Sequence, residues 1–69
     1  MTESDPTIRL DQFLKYVGAV GTGGHAKFII QTGEVQVNGQ TETRRAHKLT
    51  EGDIVLVGGR TYTVRLARP

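Results

Sequence analysis

The chain has 69 residues, no cysteine and a formal net charge of +2. A domain of this length buries only about 60% of the surface that its unfolded chain exposes, so we expect one domain with a thin core and little room for a buried active site. The lack of cysteine excludes a disulfide framework and a thiolate metal site, and no segment approaches the roughly 18 apolar residues of a membrane span.

The first seven residues are polar, include Pro6 and lack both the basic and the apolar segments of a signal peptide. We expect residues 1–7 to form a disordered leader and residues 8–69 to form a single domain in the cytoplasm. Without the two carboxylates of residues 1–5, nine Lys and Arg face five Asp and Glu, a balance of +4. This surplus favours a polyanionic partner.

Two short amphipathic helices are predicted in the first half of the chain. Apolar residues recur from Leu10 to Val17 at the spacing of one helical stripe, with Asp11 suited to the helix start and Gly18 to its end. A second helix is predicted after Thr22, a good N-cap residue, and ends at Gly33. The short connection between them makes the helices neighbours. The apolar face of the second helix consists of Ala26, Ile29 and Ile30.

The second half of the chain changes to signals typical of β-hairpins. Asn38 and Gly39 favour a type I′ turn, so residues 34–37 and 40–43 are predicted to pair. A second two-residue turn, Gly58-Gly59, separates the apolar run 54–57 from a returning strand at 61–64. The order of two helices and then about four antiparallel strands predicts an α+β fold.

A basic segment is the first candidate site. Arg44, Arg45 and Lys48 place three permanent cations within five residues, and His47 adds a fourth when protonated. Guanidinium groups bind phosphate in a bidentate manner, and neutralising phosphates releases counterions. The alternative interpretation is a solvated loop that protects a strand edge from aggregation.

The start of the second helix is the other candidate, and it comprises Thr22, Gly23, Gly24, His25 and Lys27. Glycines in the first turn cost roughly 1 kcal/mol each relative to Ala, but they let another backbone approach free N–H groups that attract anions. The alternative is ordinary capping, with glycines that allow tight helix packing. Among the scattered basic residues, Lys15 is the best further candidate, whereas Arg9 and the others are expected to serve solubility.

No catalytic constellation is visible in the sequence. The acidic residues fit helix starts and turns, and two histidines without cysteine make a poor metal-ligand set. We therefore predict no enzyme activity, no metal and no cofactor. Phe13 is expected in the core, whereas Phe28 lies off the apolar stripe, and partial exposure there supports base stacking only weakly.

The turn and helix signals together form a pattern that is more specific than any one of them alone. Its segments are Arg9-Leu10-Asp11-x-x-Leu14, Ala26 to Ile30, Gly33-Glu34-Val35-Gln36-Val37-Asn38-Gly39 and Leu49-x-x-Gly52-Asp53-Ile54-Val55. Over residues 8 to about 57 the chain resembles the S4-type RNA-binding domain, named after a protein of the small ribosomal subunit, and it looks like a stand-alone bacterial member. One departure is Thr22-Gly23, where many members carry Ser-Arg, so an arginine that often binds phosphate is absent here.

The resemblance implies two helices packed on a small curved sheet, with RNA bound along the second helix and the adjoining basic loop. We therefore predict a monomeric, non-enzymatic protein that binds structured RNA, of the ribosomal or transfer class, and with it the ribosome, without contact to a membrane. The alternative is a small protein-interaction module that docks on a ribosomal or other protein. The predicted RNA-binding residues are Lys15, Thr22, Gly23, Gly24, His25, Lys27, Arg44, Arg45, His47 and Lys48.

Overall fold

The computed structural model describes residues 6–66, so residues 1–5 of the predicted leader and the last three residues lie outside it. The boundary between leader and domain therefore stays a prediction. The elements in chain order are β1 (Ile8–Arg9), α1 (Leu10–Tyr16), α2 (Gly23–Gln31), β2 (Val35–Val37), β3 (Gln40–Thr41), β4 (Lys48–Leu49), β5 (Ile54–Val57) and β6 (Arg60–Thr63). The predicted α+β class is confirmed.

Both helices end, and α2 begins, at the residues that the sequence indicates. Gly18 and Gly33 follow the two helices with φ of +79° and +84°, the left-handed conformation in which glycine carries no steric penalty. Thr22 is the N-cap of α2, since its Oγ1 accepts a hydrogen bond from the His25 N–H at 3.1 Å. The two helices pack against each other, as their short connection predicts.

The main sheet has four antiparallel strands in the order β3-β2-β5-β6. Positive φ values of 52° at Asn38 and 85° at Gly39 confirm the turn predicted between β2 and β3. The strands of this first hairpin are shorter than predicted, because β2 begins at Val35 and β3 ends at Thr41. Strand β6 begins one residue earlier than predicted.

The structure contains a second sheet, of two strands, that the sequence did not predict. It pairs β1 with β4 in antiparallel register, with Ile8 opposite Leu49 and Arg9 opposite Lys48. Strands of two residues are too short to show alternation, and their partners are distant in the sequence, so no local signal marks them. This sheet joins the start of α1 to the end of the basic segment.

One apolar core is shared by the helices and the strands. In β5, Val55 and Val57 are buried while Ile54 is exposed, which fixes the orientation that the continuous apolar run left open. The predicted core position of Phe13 is confirmed. The buried cluster comprises Leu10, Phe13, Leu14, Val20, Ala26, Ile29, Ile30, Val35, Val37, Leu49, Val55, Val57 and Val64.

The side chain of Asn38 links two turns that are distant in the sequence. Its Nδ2 donates to Asp53 Oδ1 at 3.2 Å, and its Oδ1 accepts from the Ile54 N–H at 3.0 Å. Asp53 also accepts from the Thr50 N–H at 2.9 Å. These hydrogen bonds join the Asn38-Gly39 turn to the Gly52-Asp53 turn, and they fix Ile54 as the first residue of β5.

Replacing Asn38 by Ala should lower the free energy of unfolding by about 2–3 kcal/mol, since Ala is strained at positive φ and cannot form the two side-chain hydrogen bonds. Asn38→Gly should lose about 1 kcal/mol less, because glycine removes the strain and only the hydrogen bonds are lost. Urea denaturation of both variants measures the difference. Equal losses would contradict a contribution from backbone conformation.

Candidate functional site

The basic loop, defined as residues 44–48, is held against the N-terminal end of α1 by backbone hydrogen bonds. The Leu10 N–H donates to the His47 carbonyl at 2.8 Å, and the Asp11 N–H donates to the Arg45 carbonyl at 3.1 Å. A helix leaves its first N–H groups without intrahelical partners, and no N-cap side chain serves them in α1. The loop backbone therefore caps the helix, and its position follows from the helix start.

Glu42 orients two side chains of the basic loop. Its Oε2 accepts from Arg44 Nε at 2.9 Å and from the Arg44 N–H at 3.0 Å, while its Oε1 lies 3.4 Å from His47 Nδ1. The hydrogen bond from the Arg44 side chain is the largest cause that lowers the pKa of Glu42 from 4.5 to about 2. The Glu42 side chain is 12% exposed and that of Arg44 is 75% exposed, so the carboxylate is covered while the guanidinium faces solvent.

Arg9 joins the basic loop through the register of the two-stranded sheet, where it is paired with Lys48. Its guanidinium donates to the buried Asp11 carboxylate at 2.9 and 3.1 Å. The hydrogen bond from Arg9 lowers the pKa of Asp11 below its ordinary value, and the charge of Arg45 acts in the same direction. Arg9 thus belongs to this cluster of charges, although its sequence position gave no sign of it.

Arg45 and Lys48 differ from Arg9 and Arg44, which are each paired with a carboxylate. Among residues 6–66, no carboxylate lies within the 4.0 Å salt-bridge distance of either side chain. Both residues are exposed. Like charges directly opposite each other, as in the pair of Arg9 and Lys48, are destabilising in a sheet. A surface that concentrates positive charge in this way is suited to binding adjacent phosphates.

The start of α2 is exposed, and its two glycines are not explained by packing. Apart from the adjoining residues and the backbone of the helix itself, no atom lies within 4 Å of a Cβ built on Gly23 or Gly24. The interpretation that these glycines allow tight helix packing is therefore wrong. His25 and Lys27 are exposed as well, so the first turn of α2 is open to an approaching molecule.

The predicted residues of the basic loop lie together at the start of α1, whereas those at the start of α2 lie elsewhere along the helix pair. Arg44, Arg45, His47 and Lys48 surround the start of α1. Lys15 lies in the last turn of α1, about 7–8 Å further along the helix axis. Thr22 and the residues that follow it begin α2, which is the next element of the chain after this end of α1. The RNA-binding role of both groups stays a prediction.

Within residues 6–66, no group of three or more His, Cys, Asp or Glu side chains is placed to hold a metal ion. Within the same range, neither helix has the length and apolarity needed to cross a membrane.

Comparisons with known proteins agree on one family. Residues 2–65 match the family described as the S4 domain. The chain is 42% identical over 52 residues to the Bacillus subtilis protein named "Probable ribosome maturation protein RlbA", a match that covers 75% of this chain and 73% of the relative. It is 36% identical over 59 residues to the Escherichia coli protein named "Putative RNA-binding protein YbcJ", covering 86% of this chain and 84% of the relative.

A solved structure supports the same fold. The crystal structure of the 30S ribosomal protein S4e from Thermoplasma acidophilum superimposes with a TM-score of 0.67 at 22% identity. The match covers 88% of this chain and 32% of that one, so this chain spans about a third of the length of S4e. At this identity the likeness concerns the fold alone.

Replacing Glu42 by Gln should destabilise the protein near neutral pH, and the loss should vanish in acid. Because the pKa of Glu42 is lowered from 4.5 to about 2, its ion pairs stabilise the folded state fully above about pH 4.5, and this contribution is lost as the pH falls toward about 2. Urea denaturation of both proteins between about pH 7 and pH 2 should show converging free energies of unfolding. A constant difference over this range would contradict the assignment.

Replacing Gly24 by Ala should raise the free energy of unfolding by about 0.5–1 kcal/mol, because the fold leaves space for a Cβ and Ala restricts the unfolded chain. Gly18→Ala is the matched control and should be destabilising, since Gly18 has a φ of +79°. Thermal melts followed by circular dichroism compare the two variants. A loss of stability at Gly24 would show that the fold does require glycine there.

Proposed function

We propose that this chain, which belongs to the S4 domain family, is a non-enzymatic protein that binds structured RNA through its basic loop. The observation that carries the proposal is the fixed cluster of basic side chains at the start of α1. Two of them, Arg45 and Lys48, are exposed and have no carboxylate partner within residues 6–66. The names of the two relatives, one for ribosome maturation and one for RNA binding, support the same function.

Each cation has a distinct part in the proposed interface. Arg45 and Lys48 contact phosphates directly, since no protein carboxylate competes for them among the described residues. Arg44 uses Nε and Nη2 to bind Glu42, which leaves its Nη1 group for a phosphate oxygen. Arg9 is held by Asp11 and adds positive potential next to Lys48. Each phosphate that is neutralised releases counterions from the RNA, which drives association.

The fixed backbone of the basic loop favours a folded RNA over a flexible strand. The loop carbonyls are bonded to α1, and Glu42 and Asp11 orient two of the guanidinium groups. Cations at fixed positions bind best where the nucleic acid presents phosphates at matching fixed positions. Folded RNA does so with A-form geometry and 2′-hydroxyl groups that duplex DNA lacks.

Ribosomal RNA is the class of target that we propose, with the cytoplasm as the place of action, because one relative is named for ribosome maturation. The helix-start residues Thr22, Gly23, Gly24, His25 and Lys27, together with Lys15, are proposed as a second contact region. No enzyme is named among the relatives described above, and the site offers charge and hydrogen-bond donors rather than a nucleophile with a base.

The double variant Arg44→Glu, Arg45→Glu should stay folded and lose at least about thirtyfold in affinity for ribosomal RNA, since two phosphate contacts are replaced by repulsion worth more than ~2 kcal/mol. The wild-type log affinity should fall with log salt at a slope of roughly −2 to −4. Filter binding on ribosomal RNA fragments, with duplex DNA as competitor, measures both quantities.

The matched control is Arg60→Glu, Arg65→Glu, which changes the net charge equally at exposed arginines outside the basic loop. It should lose much less affinity than the loop variant. Similar losses in both would mean that binding depends on net charge alone. A folded loop variant that binds like the wild type would instead favour docking on a protein.

A further inference from the structure

The outward surface of α2 carries one exposed aromatic ring. Phe28 is 61% exposed, and it lies opposite the face that α2 buries with Ala26, Ile29 and Ile30. Its neighbours at helical spacings of three and four are Gly24, His25 and Gln31 within α2 and Thr32 at the helix end, and Lys27 precedes it. We call the four residues Gly24, Lys27, Phe28 and Gln31 the outer α2 face; all are exposed.

A single exposed apolar residue needs no explanation by itself, but the charges around this one restrict what can cover it. From Leu10 to Gln31 the chain contains one acidic residue, Asp11, and that carboxylate is buried and bound by Arg9. Lys27 is exposed and has no carboxylate within salt-bridge distance among residues 6–66. The helix pair therefore presents an aromatic ring and positive charge without exposed negative charge.

The same combination occurs on the neighbouring helix. Lys15 and Tyr16 are consecutive in α1, as Lys27 and Phe28 are in α2, and Tyr16 is 78% exposed. An exposed ring beside a lysine thus appears once on each helix.

The size of the apolar patch distinguishes between possible occupants. None of the residues beside Phe28 on the helix surface is a large apolar one, so the apolar patch is one ring wide. A stable protein interface buries on the order of 800 Å² on each partner around a core of large apolar residues, which this face lacks. A nucleobase matches one ring, and its phosphate matches the adjacent lysine. Gly24, one helical turn before Phe28, has no side chain that could cover the ring.

We propose that Phe28 is a stacking platform for an unpaired nucleobase of the bound RNA, with Lys27 contacting the adjacent phosphate. This inference rests on the proposed function and adds to it the kind of RNA position that the helix pair reads. The basic loop recognises phosphates of the folded part, and the outer α2 face selects a site where a base is free to leave its stack.

Two RNA probes with the same stem test this inference. One is a hairpin with an unpaired loop that contains 2-aminopurine, and the other is a fully paired duplex. Phe28→Ala should weaken hairpin binding about 5- to 150-fold, the range expected for the loss of one stacked base, and change duplex binding less than about twofold. The fluorescence change of 2-aminopurine on binding should disappear with this variant.

Three further variants separate ring stacking from other effects. Phe28→Trp keeps an aromatic ring and should retain hairpin binding, whereas Phe28→Leu keeps apolar bulk without a ring and should behave like Ala. Thr61→Ala, at an exposed position of β6 outside both proposed contact regions, is the control and should bind as the wild type does. Because Phe28 is exposed, melts by circular dichroism should show all four variants folded.

Each other outcome overturns the inference in a recognisable way. If Phe28→Ala binds both RNAs like the wild type, stacking is wrong while the proposed function stands. If the wild-type protein binds neither RNA, both fail together. If Phe28→Ala alters only self-association in sedimentation, or only binding to ribosomal subunits and not to their deproteinised RNA, the face contacts a protein instead.

Discussion

The structure depends on two backbone hydrogen bonds between the start of α1 and the basic loop. The N–H groups of Leu10 and Asp11 donate to the carbonyls of His47 and Arg45. Leu10 is fully buried, and a buried N–H group without a partner costs about 1–3 kcal/mol. The loop therefore cannot leave the helix without a substantial loss of stability. In this way the packing of the apolar core fixes the positions of charged groups on the surface.

Two carboxylates make the concentration of positive charge compatible with folding. Asp11 binds Arg9, and Glu42 binds Arg44. Each of these anions lies beneath an exposed guanidinium, so it offsets repulsion between cations and restricts the arginine without covering it. Less side-chain entropy then remains to be lost on binding. Both carboxylates have lowered pKa values, so the arrangement persists throughout the neutral pH range.

The sequence predicted those features that are decided by a few neighbouring residues. Asn38-Gly39, Gly18 and the Thr22 cap were correct because turn geometry and helix capping are local. The pairing of Arg9 with Lys48 was missed because it joins distant segments through strands of two residues. Likewise the bonds of Asn38 to Asp53 and Ile54 follow from tertiary structure. The predicted basic residues of the loop lie together, but which cations are paired with a carboxylate depends on tertiary contacts with Asp11 and Glu42 that no local signal marks. Their role in binding stays a prediction.

The capping of α1 by main-chain carbonyls has a consequence for how such a domain can diversify. Every amino acid carries the same carbonyl group, proline included, so the identity of the residues at positions 45 and 47 can change while the helix start keeps its acceptors. Recognition and folding are therefore encoded in different atoms of the same residues. A lineage, or a protein engineer, can alter the side chains that meet the ligand and leave the scaffold intact. The basic loop is thus a place where new specificities can arise without a search for a new fold.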